Sequence, residues 1–186
     1  MKSNSLLSLL KASQVLLLLT VMAIPSASWA ALYAYMSITG DTQGEIKGSV
    51  TMAGREDSME VINFGYNVST PYDPASGAPT GQRQHRPIRI LKEIDKASPL
   101  LFQALVTNEN LSEVIIRFYQ PSQTGQQVQF YTVWLYNARL VSIVPSSEAG
   151  TQSGPLEALS FVFQHIEIIY EDGGITGADD WASPIW

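Results

Sequence analysis

The chain has 186 residues, of which 45% are hydrophobic and 15% charged, which is enough for one domain with a substantial core. Its formal net charge of −6 argues against nucleic acid as a partner, because phosphate backbones attract basic surfaces. Cysteine is absent, which excludes disulfides, thiolate metal sites and a cysteine nucleophile. Stability must therefore come from packing.

The first thirty residues have the layout of a secretory signal peptide. Two lysines precede a weakly polar stretch, residues 15–24, which Pro25 ends. Ser28 and Ala30 then stand where a signal peptidase requires small side chains. We expect residues 1–30 to be a leader, with a mature chain that starts at Ala31.

Two alternatives to a cleaved leader stay open. A start at Met22 would remove most of the leader and keep the rest of the pattern intact. An uncleaved anchor would need about twenty apolar residues to span a bilayer, whereas this stretch offers about ten. No stable membrane anchoring is expected.

After the leader the sequence changes to β-type patterns. Aromatic and branched residues, and then alternation of polar with apolar residues, predict strands over 32–38, 45–50 and 58–68. Residues 69–84 contain three prolines, two glycines and no hydrophobic rhythm. They predict a long exposed loop.

A single helix is predicted after a further strand over 86–93. Ser98 is expected as its N-cap and Pro99 as its first residue, where the missing N–H costs nothing. Apolar residues at spacings of three and four continue the pattern to about Asn108. They are Leu100, Leu101, Ala104 and Leu105.

The remaining chain is again β-type, with strands predicted over 112–119, 128–135, 138–144 and 157–170. This order predicts a mainly β fold: a compact β-barrel or two-sheet domain with one α-helix packed beside it. The β domain is expected over 31–170. Residues 171–186, rich in glycine and aspartate, are expected to be a flexible acidic tail.

Three segments resemble the Hcp (haemolysin co-regulated protein) family, the tube proteins of type VI secretion. The first is YMSITGDTQGEIKGSV at 35–50, the second KEIDKASP at 92–99, and the third EALSFVF at 157–163 followed by IEI at 166–168. They occur in the family's order and spacing. Two features depart from it: the leader, and the IEI in place of an I-x-W ending.

The resemblance implies a homo-hexameric ring that stacks into a tube and is ejected by a contractile machine. It also implies effector proteins as cargo in the ring lumen and spike proteins at the tube tip. Chemistry in this family usually belongs to a cargo or a fused domain, so no enzymatic activity and no cofactor are expected. The protein would be secreted through the type VI machinery from a cytoplasmic pool, or be periplasmic if the leader is functional.

The candidate interface is a basic cluster beside the long loop. Arg83, His85, Arg86 and Arg89 stand together in an acidic protein and can either meet carboxylates of a neighbouring subunit or simply be solvated. The long loop itself, which contains Asp73, is the candidate for contact between rings. All five residues are predicted interface residues.

Catalytic and metal sites are not indicated. His85 and His165 lie on different predicted elements, Asp41 and Glu45 fit a turn, and the aspartates at 172, 179 and 180 do not follow a calcium-loop spacing. The leading hypothesis is a structural ring protein. The alternative is a periplasmic or secreted binding module that reuses the Hcp fold, and an effector enzyme has no supporting constellation of residues.

Overall fold

The structure, a computed structural model, describes residues 33–122, 124–147 and 154–182. The predicted leader lies outside the described residues. The described chain contains one helix, α1 (Ser98–Val106), and twelve strands: β1 (Tyr33–Gly40), β2 (Gly44–Ile46), β3 (Met59–Val61), β4 (Asn63–Gly65), β5 (Val68–Ser69), β6 (Gln84–His85), β7 (Ile88–Glu93), β8 (Leu111–Pro121), β9 (Gln127–Ser146), β10 (Leu156–Val162), β11 (His165–Tyr170) and β12 (Ile175–Asp180).

Ten strands form one continuous sheet that bends into a barrel-like shell. Its path runs β2-β1-β8-β9-β10-β7-β4, and β11 adds to β9, β12 to β11 and β3 to β1. The segment 59–65 pairs with β1 through β3 and with β7 through β4, so it links these two strands, which lie far apart along the path. The predicted mainly β fold with a helix beside it is confirmed.

One strand, β9, crosses the whole domain. It has 20 residues where the sequence predicted two separate strands. Its first half pairs with β8 and β11, and its second half with β10. The change of neighbours falls near Asn137, which has a positive φ of 48°. Such a backbone conformation bends the strand without ending it.

The predicted strand over 45–50 is shorter than expected. β2 ends at Ile46, because the backbone of residues 47–58 folds back on itself: Gly48 N donates to Asp57 O (2.6 Å) and Val50 N to Ser58 O (3.1 Å). A Cβ on Gly48 would lie 2.3 Å from Ser58 O, so only glycine fits this close approach. Residues 47–58 form an ordered loop, named the Gly48 loop below.

The core lies between the sheet and α1. Leu101 and Ala104 form the buried side of the helix, whereas Leu100 is exposed. The apolar stripe of the helix is therefore narrower than the sequence predicted. The strands contribute alternate residues, as period two requires. The fully buried ones include Met36, Ile38, Ile88, Ile90, Val114, Ile116, Leu135, Leu159 and Phe161.

The predicted start of the helix is wrong by one residue. Ala97 is the N-cap and makes no side-chain capping bond, while Ser98 is already helical. The Ser98 hydroxyl is engaged elsewhere: it accepts a hydrogen bond from Asp95 N (3.0 Å) and donates to Glu157 Oε1 (2.7 Å). A tertiary contact has therefore replaced the local cap.

The region after Tyr170 differs from the flexible tail that was predicted. Ile175–Asp180 forms β12 and pairs along its whole length with β11. Gly173 and Gly174, both with positive φ, make the connecting turn. An acidic, glycine-rich segment predicts flexibility, but a six-residue strand needs only a partner edge, which β11 provides. Residues 183–186 lie outside the described residues.

Candidate interface and its buried polar contacts

The predicted interface residue His85 lies inside the domain. It is 8% exposed and is surrounded by rings: Tyr66 is stacked on it, and Phe163 and Trp181 have centroids 5.5 and 5.6 Å away. The Tyr66 hydroxyl is 2.6 Å from His85 Nδ1. Burial, followed by the charge of Asp179, raises the pKa of Tyr66 to about 12, so its hydroxyl is protonated at neutral pH.

Asp179 joins this aromatic cluster to the long loop. Its Oδ2 is 3.2 Å from His85 Nε2, near enough for electrostatic attraction, although the ring is not aligned for a hydrogen bond. Arg83 donates to both carboxylate oxygens of Asp179 and to the backbone oxygen of Asp180 (2.9 Å). Burial alone would raise the pKa of Asp179, but the hydrogen bonds and charge of Arg83 outweigh it and lower the pKa.

Arg83 and His85 thus attach β6 to β12 within one chain. We name Tyr66, Arg83, His85, Asp179 and Trp181 the β6–β12 clamp. The two-stranded sheet of β5 and β6 carries one side of it, and the C-terminal hairpin carries the other. A bidentate arginine–carboxylate pair is among the stronger polar contacts of a protein surface. Arg83 and His85 therefore stabilise the fold of the single chain, independently of any contact in an assembly.

Arg86 and Arg89 behave differently, because both are exposed. Neither side chain forms a hydrogen bond or an ion pair with a described residue. Together with Gly65, Tyr66 and Pro87 they line an open groove of about 620 Å³. Of the four predicted residues in the basic cluster, these two have side chains available to another molecule.

Asp73, the fifth predicted residue, stabilises the turn of its own loop. Its Oδ1 accepts hydrogen bonds from Ala75 N (2.8 Å) and Ser76 N (2.9 Å), and these bonds lower the pKa of Asp73. Tyr72 and Pro79 form an isolated bridge across the same loop. The loop therefore has internal structure and projects exposed backbone and side chains over 69–84.

A buried ionic cluster lies under the KEIDKASP segment. Lys92 is 1% exposed, and its Nζ lies 2.8 Å from Glu157 Oε1 and 2.7 Å from Asp95 Oδ1. Lys92 Nζ also donates to Glu93 O (2.9 Å), and Ser98 connects Asp95 with Glu157. The motif recognised in the sequence is thus a set of contacts that fixes the strand-to-helix junction.

A second buried carboxylate, Glu109, holds the turn between β1 and β2. It accepts hydrogen bonds from Thr42 N (2.7 Å), Gln43 N (2.8 Å) and Gln43 Nε2 (2.7 Å). Burial opposes ionisation, but these donors outweigh it and lower the pKa of Glu109. Gly40 lies directly beside it: a Cβ there would be 2.5 Å from Glu109 Oε1, so a larger residue would have to displace the carboxylate.

The groups discounted for catalysis have structural partners. Asp41 accepts a hydrogen bond from Asn110 Nδ2 (2.9 Å), and His165 Nδ1 is 2.8 Å from Asp180 Oδ1. Within the described residues, no three histidine or acidic side chains are grouped as metal ligands. No α-helix in the same part of the chain has the length and apolarity of a membrane span.

The described residues thus form a mainly β shell with one helix and an exposed arginine groove. A family model described as "Type VI secretion system effector, Hcp" matches residues 35–170. The "Major exported protein" of Pseudomonas aeruginosa is 40% identical over 166 residues, which are 82% of this chain and 96% of that protein. The chain belongs to the Hcp family.

Solved structures agree. The secreted protein Hcp3 from Pseudomonas aeruginosa is 35% identical, with a TM-score of 0.69 over 82% of this chain and 100% of the other. A variant of Hcp1 from the E. coli EAEC 042 pathovar is 32% identical, with a TM-score of 0.75 over 81% and 99% of the two chains. The resemblance inferred from three short segments is confirmed.

Sequence reasoning missed the partners of the basic cluster. Asp179 was considered only as a calcium ligand, and Tyr66 and Trp181 were not singled out. One signal was present: a four-residue segment with two glycines, residues 171–174, separates the last predicted strand from residues 175–180, which is typical of a hairpin. That hairpin brings Asp179 to Arg83.

Proposed function

We propose that this domain assembles into a homo-hexameric ring, that the rings stack into a type VI secretion tube, and that the lumen carries or chaperones effector proteins while spike proteins bind at the tip. Membership of the Hcp family and the exported P. aeruginosa relative support this role. The protein itself would be secreted from a cytoplasmic pool. Its role is carriage and not catalysis.

The observation that carries the proposal is that the sheet has unpaired edge strands. Among the described strands, β12 pairs only with β11 and β2 only with β1, so each leaves one row of backbone N–H and C=O groups open. β12 is six residues long and largely exposed, with Ile175 67% exposed. Such an edge invites pairing with another chain, and in a closed ring every subunit has a neighbour on each side that can provide a partner strand.

The exposed arginines support a contact between subunits. Arg86 and Arg89 lack partners among the described residues, and the chain carries an excess of acidic residues that a second copy would present. Charge complementarity of this kind sets register and orientation more than affinity. The largely exposed loop 69–84, which contains Asp73, would make the contact to a stacked ring.

Native mass spectrometry of the full-length protein tests the assembly. A six-fold multiple of the subunit mass is expected. A monomer at high concentration would contradict the ring, and a monomer that lacks residues 1–30 would instead support the periplasmic or secreted binding module.

A charge-reversal pair tests the interface. We expect Arg86→Glu with Arg89→Glu to lower the subunit count or the stability of the assembly, because both charges would repel the acidic neighbour. Arg139→Glu is the matched control, since Arg139 is also exposed. Equal behaviour of the double variant and the control would remove Arg86 and Arg89 from the interface.

A further inference from the structure

A second polar cleft is lined by two other arginines, Arg55 and Arg117. It has a volume of about 380 Å³ and is formed between the Gly48 loop and the outer face of β1 and β8. Tyr35, Ser37, Arg55, Arg117 and Tyr119 are among the lining residues. Two arginines thus face one small space, in a protein whose net charge is −6.

Arg55 is held in place by contacts that do not neutralise it. Its guanidinium carbon lies 3.6 Å from the ring centroid of Tyr119 and 4.9 Å from that of Tyr35. Its Nη1 donates to Gln127 Oε1 and contacts Met52 Sδ (2.9 Å). Cation–π contacts orient a guanidinium and leave its charge unpaired. Arg55 is therefore a fixed positive charge at the cleft wall.

Arg117 has almost no partners. Its one hydrogen bond is from Nη1 to Ser37 Oγ, at 3.4 Å, and neither arginine forms an ion pair with any described residue. A guanidinium has five N–H donors, and a carboxylate oxygen pair matches two of them side by side. Arg117 is also partly buried, so water replaces those missing partners less completely than at an exposed site.

The nearby acidic groups decide which anion fits. Glu171 is occupied, because its Oε1 accepts from Gln129 Nε2 (2.8 Å) and from Thr132 Oγ1 (2.5 Å). Glu56 lines the cleft without pairing with either arginine. Its negative charge repels a doubly charged phosphate more than a singly charged carboxylate.

From these contacts we infer that the Arg55–Arg117 cleft binds a carboxylate group. Arg117 pairs with both of its oxygens, and Arg55 supplies the second positive charge. The carboxylate belongs either to a small free acid or to an acidic side chain of a second copy of this chain. The second case rests on the proposed ring, and the first does not.

Thermal unfolding of the full-length protein with sodium acetate, compared with sodium chloride at equal ionic strength, tests the site. A ligand that binds the folded state raises the unfolding temperature by mass action. We expect acetate to stabilise more than chloride and more than phosphate, and Arg117→Gln to weaken acetate binding by at least about tenfold. No excess effect of acetate, or stronger binding of phosphate, would overturn the assignment.

Matched variants keep the test independent of folding. Arg139→Gln, an exposed arginine outside the cleft lining, should bind acetate like the parent. Arg117→Lys keeps the positive charge but loses the two parallel N–H donors of the guanidinium. It should bind acetate more weakly than the parent and more tightly than Arg117→Gln. Equal binding by all three variants would overturn the role of Arg117.

The source of the carboxylate follows from the subunit count of Arg117→Gln. Loss of both acetate binding and assembly assigns the carboxylate to a second copy, whereas loss of acetate binding alone assigns it to a free acid. The acetate titration does not require a ring. A monomer that binds acetate would therefore contradict the proposed function and support the cleft.

Discussion

Lys92 and Glu157 are direct partners across β7 and β10, and their charged groups meet inside the domain at 2.8 Å. A charge buried to this degree is tolerated only when its countercharge and hydrogen bonds are all in place. The pair stands where a strand turns into the helix. It therefore determines the packing of α1 against the sheet.

Replacing Lys92 with methionine should lower the free energy of unfolding by about 3–5 kcal/mol, because Glu157 and Asp95 would lose their buried countercharge. Lys96→Met is the control: Lys96 pairs with Asp57 at 2.9 Å, but its side chain is 53% exposed, so a loss of at most about 1 kcal/mol is expected. Urea denaturation measures both. If both variants lost a similar free energy of unfolding, the burial of Lys92 would not account for the strength of its contacts.

Glu109→Gln should destabilise the protein by about 1–3 kcal/mol at neutral pH, since a charge-assisted acceptor of three hydrogen bonds becomes neutral. The folded-state pKa of Glu109 is lowered, so its contribution is present above the ordinary glutamate value of 4.5 and is lost as the pH falls through the lower folded value. Unfolding temperatures across the acid range should converge for parent and variant. A difference in unfolding temperature that stayed constant down to the lowest pH would contradict a role for the ionised Glu109 carboxylate. Glu45→Gln, which changes an exposed side chain, is the control.

Asn137 tests the bend of β9. Asn137→Gly and Asn137→Ala both remove the hydrogen bond from Asn137 Nδ2 to Gln164 Oε1 (2.8 Å), but only alanine retains a Cβ in the left-handed region. The alanine variant should be less stable than the glycine variant by about 1 kcal/mol. Chemical denaturation compares them. Equal stability would mean that the positive φ costs nothing at this position.

Asp179→Asn should loosen the C-terminal hairpin without unfolding the barrel. The variant keeps its size but loses the charge that Arg83 contacts, so the amides of β12 should exchange with deuterium faster while those of β1 and β8 keep their rates. Asp172→Asn, at an exposed turn residue, is the control. Unchanged exchange in β12 would show that the hairpin is held by backbone pairing alone.

Local patterns predicted most of the elements but not their long-range partners. Strand-type composition and alternation located β1, β7 and β8, and the apolar spacing with Pro99 located α1 to within two residues. The single strand predicted over 157–170 is two strands, β10 and β11, separated by a break at residues 163–164. The same rules cannot show that Ser98 donates its hydrogen bond to Glu157. Whether this hydroxyl caps the helix or bonds a partner 59 residues away is decided only in the folded chain. The strand predicted over 45–50 was too long for a related reason. The local pattern around Gly48 is that of a strand, and the close approach of the Ser58 backbone exists only in the folded chain.

The interface prediction had a similar limit. The sequence placed Arg83, His85, Arg86 and Arg89 in one cluster, but alternation along a strand does not reveal which face meets another element of the same chain. β12 covers Arg83 and His85 and leaves Arg86 and Arg89 exposed. The prediction of a flexible tail over 171–186 gives no reason to expect Asp179 beside Arg83.

The 20-residue β9 has a mechanical consequence. At about 3.3 Å per residue it extends roughly 65 Å along its contour, and it is hydrogen-bonded to β8, β10 and β11. Any division of the domain into two separately melting parts would have to break this strand away from partners on both sides. Unfolding should therefore be all-or-none, and the amides of residues 131–136, which pair with β8 on one side and β11 on the other, should exchange only when the entire domain opens. A protection factor in this segment should report the global stability of the subunit.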